Sequence, residues 1–184
     1  VLITGPQGAG KSLVARAFAE LAWPRKDMLD ADCSLGNQLL DEALAKAPEI
    51  LLLRHVDALS PEAQTRLVMA LSAESAPAII ATTERNIAAM ERDGLFRPDL
   101  LYRIQVGWIE VPSLADRSSD ILPLAEDFAR QAAYRLGRPR PRLTAEARVR
   151  LLEHDWPGNV AELENCMNRA VLIAVGPGIG RDEI

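Results

Sequence analysis

The chain has 184 residues, with 21 Lys and Arg against 26 Asp and Glu, and a formal net charge of -5. Its 48% hydrophobic and 26% charged residues are typical of one folded globular protein and exclude disorder, collagen and coiled coil. Its apolar runs fall short of the roughly 20 residues of a membrane helix, and its acidic balance disfavours direct DNA binding. Cys33 and Cys166 lie far apart, which is typical of reduced thiols in a cytoplasmic protein.

The first part of the chain alternates strand and helix patterns. Residues 1–4 predict a strand, a glycine-rich turn follows, and residues 11–22 predict a helix. A strand at 28–33 and a helix at 38–46 come next. The predicted apolar stripe of the first helix consists of Leu13, Val14, Ala17, Phe18 and Leu21.

The pattern continues with a run of four apolar residues at 50–53, which is typical of a central parallel strand buried on both faces. Ser60 and Pro61 are the usual residues at a helix start, and that helix extends to residue 73. The remaining elements of this part are a strand at 76–83, a helix at 87–92 and a strand at 105–111. The alternation predicts an α/β fold whose parallel sheet is covered by helices on both faces.

From residue 118 onward the pattern predicts helices only, at 119–135, 144–154 and 159–174. The change of pattern near residues 112–116 predicts two subdomains. These are an α/β subdomain at 1–114 and a helical subdomain at 115–184.

A phosphate-binding motif stands between the first strand and the first helix. Residues 5–12 read G-P-Q-G-A-G-K-S and match G-x-x-x-x-G-K-[ST] in the context that this motif requires. Backbone N–H groups and the helix N-terminus would bind the phosphates of ATP, Lys11 would reach the β and γ phosphates, and Ser12 would bind Mg²⁺. The alternative is a glycine-rich turn without a ligand. The candidate nucleotide-binding residues are Gly5, Pro6, Gln7, Gly8, Ala9, Gly10, Lys11, Ser12 and Leu13.

The acids that such a protein uses for hydrolysis are missing from their expected place. An Asp that holds Mg²⁺ and a Glu that activates water should end the strand at 50–53, but Arg54 and His55 stand there. Arg54 brings positive charge to the place of a metal, and His55 would be a weak base without that metal. Asp57 is predicted to be a surface or capping residue, with a substitute metal ligand as the alternative.

The phosphate-loop stretch and three further motifs carry a family resemblance. Residues 1–12 are similar to V-L-I-T-G-E-S-G-T-G-K-E, 96–104 to F-R-x-D-L-Y-Y-R-L, 120–125 to D-I-x-x-L-A, and 156–165 to W-P-G-N-V-R-E-L-E-N. Together they resemble the AAA+ domain of bacterial enhancer-binding proteins, which activate RNA polymerase carrying sigma-54. The resemblance implies a P-loop NTPase sheet followed by a small helical lid.

The resemblance also implies partners. Arg97 and Arg103 match the proposed arginine fingers, which would reach the nucleotide of a neighbouring subunit in a hexameric ring. Surface salt bridging is the alternative for both. A sensory domain would precede this chain and a helix-turn-helix domain would follow it, so DNA contact would belong to a separate part. Contact with RNA polymerase or a sigma factor is left open.

The departures from the family are concentrated in the hydrolysis apparatus. Arg54 and His55 replace the Walker B acids, Glu84 replaces the sensor Asn, and Ala161 replaces the second-sensor Arg. The G-A-F-T-G-A insertion that grips sigma-54 is missing before residue 50. Asp32 and His55 occupy two positions that form a switch in the family, and we hypothesise a charge-assisted hydrogen bond between them, the alternative being two unrelated strand ends.

Three interpretations remain from the sequence. The leading one is a regulatory module that binds ATP, self-assembles and hydrolyses ATP weakly or not at all. The second is an active ATPase that uses Asp57, Asp32 or Glu84 as a surrogate acid. The third is a scaffold that has lost nucleotide binding, and a small-molecule kinase is a more remote alternative.

Overall fold

The computed structural model describes residues 1–174, 176 and 178–184. The chain divides into two compact units, each with its own hydrophobic core. The first, the sheet unit, consists of Val1–Gly5 and Lys11–Val111, and the second, the helical unit, consists of Pro6–Gly10 and Pro112–Ile184. The middle of the phosphate loop therefore belongs to the same unit as the C-terminal helices.

The sheet unit contains a parallel sheet, as the sequence predicts. Its strands pair in the order β2-β3-β4-β1-β5, and every pair is parallel. Because parallel strands end at the same edge, the residues that follow β1, β3 and β4 are brought to one side of the sheet. The strands are β1 (Leu2–Thr4), β2 (Met28–Asp32), β3 (Ile50–Arg54), β4 (Ala78–Thr83) and β5 (Trp108–Glu110).

The helices of the sheet unit follow the predicted positions with one addition. Pro98 begins a helix in a stretch for which no element is predicted from the sequence, and the strand predicted at 105–111 is correspondingly reduced to β5. Proline suits the first turn of a helix because that turn has no use for its missing N–H. The helices are α1 (Lys11–Ala22), α2 (Gln38–Ala45), α3 (Pro61–Ala70), α4 (Ile87–Arg92) and α5 (Pro98–Ile104).

The buried face of α1 differs from the predicted stripe. Ala15 and Ala19 are buried, whereas the side chains of Leu13 and Leu21 are 73% and 85% exposed. Helix α1 packs on β1, β3 and β4, and small side chains let a helix backbone approach a sheet closely. The prediction for this helix face is therefore wrong, although its bounds are confirmed.

Strand β3 is the centre of the sheet-unit core. Its first four residues are each at most 1% exposed, which confirms the prediction of a strand buried on both faces. Residues from other strands, from helices α2 to α5 and from the segment before α5 complete this core, among them Leu2, Ala81, Leu67, Phe96, Leu100 and Ile104.

The helical unit packs three helices around a core that combines alanines with large side chains such as Trp156, Leu163 and Met167. They are α6 (Ile121–Arg135), α7 (Ala145–Glu153) and α8 (Asn159–Ile173). Helix α6 packs against α8 and contributes alanines at 125, 129, 132 and 133 to this core. Two short strands, β6 (Arg142–Leu143) and β7 (Gly178–Ile179), pair in parallel, so the prediction of helices only is corrected here. Within the described residues, no helix is long and apolar enough to cross a membrane.

Candidate phosphate-binding site

The two ends of the phosphate loop lie in the sheet unit. Lys11 begins α1, is 7% exposed, and donates from Nζ to the carbonyl oxygen of Gly5 at 3.0 Å. Gly5 has φ +151°, and a Cβ there would lie 2.4 Å from the carbonyl oxygen of Val111. The loop therefore requires glycine at its first position. Ser12 follows in the first turn of α1, and Leu13 points its side chain largely into solvent.

The middle of the loop, residues 6–10, is close to the turn before α8. Gly8 has φ +72°, and a Cβ there would lie 2.2 Å from the carbonyl oxygen of Gly158. Pro6 and Gln7 are exposed, whereas Ala9 is buried. Gly8 is thus fixed both by its backbone conformation and by the approach of a second chain segment.

The residue at the end of β3 is a cation held by two carboxylates. Arg54 donates from Nε to Asp30 Oδ1 at 2.7 Å, and its Nη1 lies 3.2 Å from Asp32 Oδ2. The hydrogen bond with Asp30 raises the pKa of Arg54, against the effect of its partial burial. Arg16 contacts the other oxygen of Asp30 at 3.0 Å. The place where a metal-binding acid was sought therefore carries a neutralised arginine.

The hypothesised hydrogen bond between Asp32 and His55 is not formed. Asp32 Oδ1 instead accepts from the backbone N and the hydroxyl of Ser34, at 3.0 and 2.6 Å, and Oδ2 faces Arg54. Desolvation acts to raise the pKa of Asp32, but the Ser34 hydrogen bonds, Arg54 and His55 outweigh it and lower that pKa. His55 has φ +54° and precedes the short turn Val56–Ala58. Both carboxylate oxygens of Asp32 therefore already have partners, because Asp32 caps the turn Cys33–Leu35 and pairs with Arg54.

Asp57 is partly buried and contacts the end of β4. Its Oδ1 accepts from Thr83 Oγ1 at 2.7 Å, and the same hydroxyl accepts from the backbone N of Arg85 at 3.1 Å. Asp57 therefore joins the turn after β3 to the end of β4.

Glu84 is the acid that lies next to the phosphate-loop lysine. It follows β4, which pairs with β1, and its Oε1 is 3.4 Å from Lys11 Nζ. The side chain of Glu84 is 29% exposed. Of the three surrogate acids considered, Glu84 contacts Lys11, whereas Asp32 and Asp57 have the other partners described above.

The two candidate arginine fingers lie on α5 or just before it. Arg97 forms a two-point contact with Asp99 at 3.0 and 2.8 Å and also donates to Thr65. Hydrogen bonding to Asp99 raises the pKa of Arg97, and the same contact lowers the pKa of Asp99. Arg103 donates to the carbonyl oxygen of Leu71 and to Ser72. Both guanidinium groups are held by contacts within the chain.

A buried glutamine that the sequence analysis missed positions Arg97. Gln64 is 1% exposed, its Oε1 accepts from the backbone N of Arg97 at 2.8 Å, and its Nε2 donates to the carbonyl oxygens of Leu59 and Leu95. The sequence feature that could have identified Gln64 is that a polar residue occurs on the face of α3 that is otherwise apolar. Among the described residues, no group of three or more His, Cys, Asp or Glu is arranged to hold a metal ion.

Two family models divide the chain between them. Residues 1–114 match the Sigma-54 interaction domain, and residues 115–184 match the AAA+ ATPase lid domain. The chain belongs to the sigma-54 interaction domain family. The family resemblance stated from the motifs is thereby confirmed.

Curated relatives of this sigma-54 interaction domain are bacterial regulators. The transcriptional regulatory protein ZraR of Escherichia coli K12 is 34% identical over all of this chain and 49% of its own length. The transcriptional regulatory protein FlbD of Caulobacter vibrioides is 33% identical over 97% of this chain and 47% of its own length. The chain spans about half the length of these relatives.

Solved structures of the same fold include a nucleotide-bound protein. NtrX from Brucella abortus in complex with ADP superposes with a TM-score of 0.89 and 28% identity, over all of this chain and 49% of that one. NtrX in complex with ATP gives a TM-score of 0.90, over all of this chain and 48% of that one. Domain III of the replication initiation protein DnaA from Thermotoga maritima, at 20% identity and a TM-score of 0.63, shares the fold. The predicted AAA+ fold class is confirmed.

Proposed function

We propose that this chain is the nucleotide-binding AAA+ module of a bacterial transcriptional regulator, and that it binds ATP with little or no hydrolysis. The observation that carries the proposal is the contrast between an intact phosphate loop and an arginine at the end of β3. In this proposal residues 1–114 form the nucleotide-binding subdomain and residues 115–184 form the lid.

Nucleotide binding is supported by the loop and by the structures of relatives. Residues 5–13 provide backbone N–H groups, the buried amine of Lys11 and the hydroxyl of Ser12, which is a donor set suited to phosphate and Mg²⁺. NtrX, which shares the fold over the whole of this chain, has been solved with ADP and with ATP.

Weak hydrolysis follows from the charge at the end of β3. A metal-bound water needs carboxylates that are free to accept its protons or to bind its metal. Here Asp30 and Asp32 are both paired with Arg54, Asp30 also contacts Arg16, and the residue after Arg54 is a histidine. Bound nucleotide would thus act as a long-lived regulatory ligand.

Contact with sigma-54 through the usual insertion is not expected. Only residues 46–49 connect α2 to β3, whereas the alignment with ZraR spans 218 positions against 184 residues in this chain. The relative therefore carries segments that this chain lacks. Any contact with RNA polymerase or a sigma factor would use another surface.

Self-association is proposed from the two exposed arginines. Arg97 is held by Asp99 and Arg103 by backbone and hydroxyl oxygens, contacts that a neighbouring subunit's phosphates would replace with stronger ones. A ring, hexameric by family resemblance, would bring these arginines to a second nucleotide. Nucleotide-dependent assembly, measured by light scattering, tests this part of the proposal.

The central experiment compares the wild-type protein with Lys11→Ala. Isothermal titration with ADP and ATP in the presence of Mg²⁺ should show binding by the wild type and none by the variant, because Lys11 provides the buried positive charge of the loop. Steady-state hydrolysis of Mg-ATP should be equally slow for both. Retained binding in Lys11→Ala would overturn the phosphate-loop assignment.

A second candidate function is an active ATPase that uses Glu84. It is favoured by the 3.4 Å contact between Glu84 and Lys11, which brings a carboxylate next to the phosphate loop. Clear turnover by the wild type that is lost in Glu84→Gln, but kept in the exposed control Glu20→Gln, would establish this candidate. Equal rates in all three proteins would exclude it.

A further inference from the structure

Three consecutive carbonyl groups of the phosphate loop accept hydrogen bonds from the helical unit. Asn159 Nδ2 donates to the oxygen of Gln7 at 2.8 Å, and the backbone N of Ala161 donates to the oxygen of Gly8 at 3.2 Å. Arg117 Nη2 donates to the oxygen of Ala9 at 2.5 Å. All six residues belong to one compact unit. We call Asn159, Ala161 and Arg117 the carbonyl clamp.

The carbonyl clamp acts on the opposite side of each peptide group from the phosphate-binding N–H. A trans peptide is planar and points its N–H away from its C=O. Fixing the oxygens of Gln7 and Ala9 therefore fixes the direction of the N–H groups of Gly8 and Gly10. The N–H of Ala9 closes a turn on the oxygen of Pro6 at 3.3 Å. The clamp thus organises the loop before any ligand arrives.

Asn159 is anchored for this task. It is 3% exposed and has φ +56°, a conformation that asparagine adopts more readily than most residues. Its Oδ1 accepts from the backbone N of Leu114 at 2.8 Å, and Leu114 is itself fully buried. One side chain therefore ties the phosphate loop to the core of the helical unit.

Arg117 is held at some energetic cost. It lies at a kink in the short helical segment Ala115–Asp120, with φ -130° and ψ 52°. Its Nε is buried and has no hydrogen-bond partner among the described residues. A buried N–H without a hydrogen-bond partner lowers stability. The arginine therefore makes its bond to Ala9 from a position that is unfavourable for its own Nε.

We infer that Asn159 and Arg117 are positioning residues for the nucleotide, and that they set affinity without distinguishing ADP from ATP. This inference rests on the proposed nucleotide binding. Both residues act through carbonyl oxygens of the loop, so their effect is felt by any phosphate chain that the loop binds. Ala161 contributes only its backbone to this contact and has no charged group that reads the terminal phosphate.

The first test replaces Asn159 by an isosteric acid. Asn159→Asp keeps an acceptor for the Leu114 N–H but replaces the donor to Gln7 with a carboxylate oxygen. The matched control is Asn168→Asp, the same change on the same helix at a residue that contacts Arg135. Isothermal titration should show about tenfold weaker binding of both ADP and ATP to Asn159→Asp, with their ratio unchanged, and no change for the control.

The second test stays informative if Asn159→Asp folds poorly. Arg117→Ala and Arg117→Lys are compared by hydrogen exchange of the nucleotide-free proteins. Exchange in residues 5–12 should be faster in Arg117→Ala and nearer the wild-type rate in Arg117→Lys, because lysine keeps a donor for the Ala9 carbonyl. Amides of β3 should exchange as in the wild type.

The outcomes separate the inference from the proposed function. A changed ratio of ADP to ATP affinity, or unchanged affinity in Asn159→Asp, would overturn the inference. So would faster exchange throughout the core of the helical unit, since that indicates a role in stability alone. If the wild type binds neither nucleotide, the proposed function fails, while the exchange experiment still reports on the carbonyl clamp.

Discussion

The phosphate loop and the carboxyl end of β3 represent two kinds of functional region. In the loop, phosphate binding would depend on Lys11 and on backbone N–H groups. Glycines and the carbonyl clamp fix the directions of those N–H groups. At the end of β3, the chemistry would be carried by side chains alone, and Arg54 and His55 stand where acids are sought. Backbone sites depend on many contacts at once, whereas a side-chain site changes with one substitution. Binding and hydrolysis can therefore be lost separately.

The largest effect on nucleotide binding and stability is expected at Gly8, where the loop leaves no space for a side chain. Gly8→Ala should abolish nucleotide binding and destabilise the fold by about 2 kcal/mol or more, because its Cβ would overlap the Gly158 carbonyl. The control Gly137→Ala also has a positive φ but meets nothing within 4 Å, so it should cost only about 1 kcal/mol. Chemical denaturation and ADP titration measure both quantities. Equal effects at the two glycines would contradict the close approach.

A smaller effect is expected at the end of β3. Arg54→Ala should lower the free energy of unfolding by about 1 kcal/mol, since it leaves Asp30 and Asp32 without their shared cation at a partly exposed site. ADP affinity should change little, because Arg54 lies at the strand end rather than in the loop. If Arg54→Ala lost nucleotide binding, as Gly8→Ala is expected to, the conclusion that binding and hydrolysis depend on different regions would be wrong.

The pH dependence of stability should also reflect the end of β3. The folded-state pKa of Asp32 is lowered, so its contribution to stability is complete above the unfolded pKa and is lost as the pH falls through the folded value. Ser34→Ala removes a hydrogen bond that lowers this pKa and should flatten the loss of stability below about pH 4. Denaturation curves of the two proteins between pH 6 and pH 3 test this sign. A steeper loss in the variant would contradict it.

The smallest effect on the isolated chain is expected at Arg97. Its contact with Asp99 is exposed, so Arg97→Ala should leave thermal unfolding and ADP affinity nearly unchanged. The same variant should reduce ATP-dependent assembly measured by light scattering. Arg92→Ala, on α4, serves as a control because Arg92 is an arginine near α5 whose hydrogen bond is to the carbonyl oxygen of Ala88 within its own helix.

Local patterns predicted most of the fold but little of what stabilises the site. The parallel sheet and the phosphate loop can be predicted because apolar runs favour buried strands and the glycine spacing favours a phosphate loop, each within a short stretch of sequence. The apolar stripe of α1 was misplaced because Leu13 and Leu21 are larger than Ala15 and Ala19, while the sheet accepts the smaller side chains. Hydrophobic pattern alone ignores how closely two elements approach.

The residues that were missed have distant partners in sequence. Gln64 contacts Leu95 and Arg97 across about thirty residues, and Arg117 reaches Ala9 across 108 residues. Their partners are backbone groups, which every residue has, so the sequence does not show which backbone group a side chain will bind. The Asp32–His55 contact hypothesised from the sequence is not formed, because Asp32 caps the following turn through Ser34 and pairs with Arg54.

The division of the chain also decides how it can be dissected. The helical unit is discontinuous, since residues 6–10 are needed to complete it. A fragment cut at residue 112 would leave the donors of Asn159 and Arg117 without the carbonyls they bind. Separate expression of the lid would therefore require a graft of the loop, for example as a circular permutant that carries residues 6–10 on a short linker.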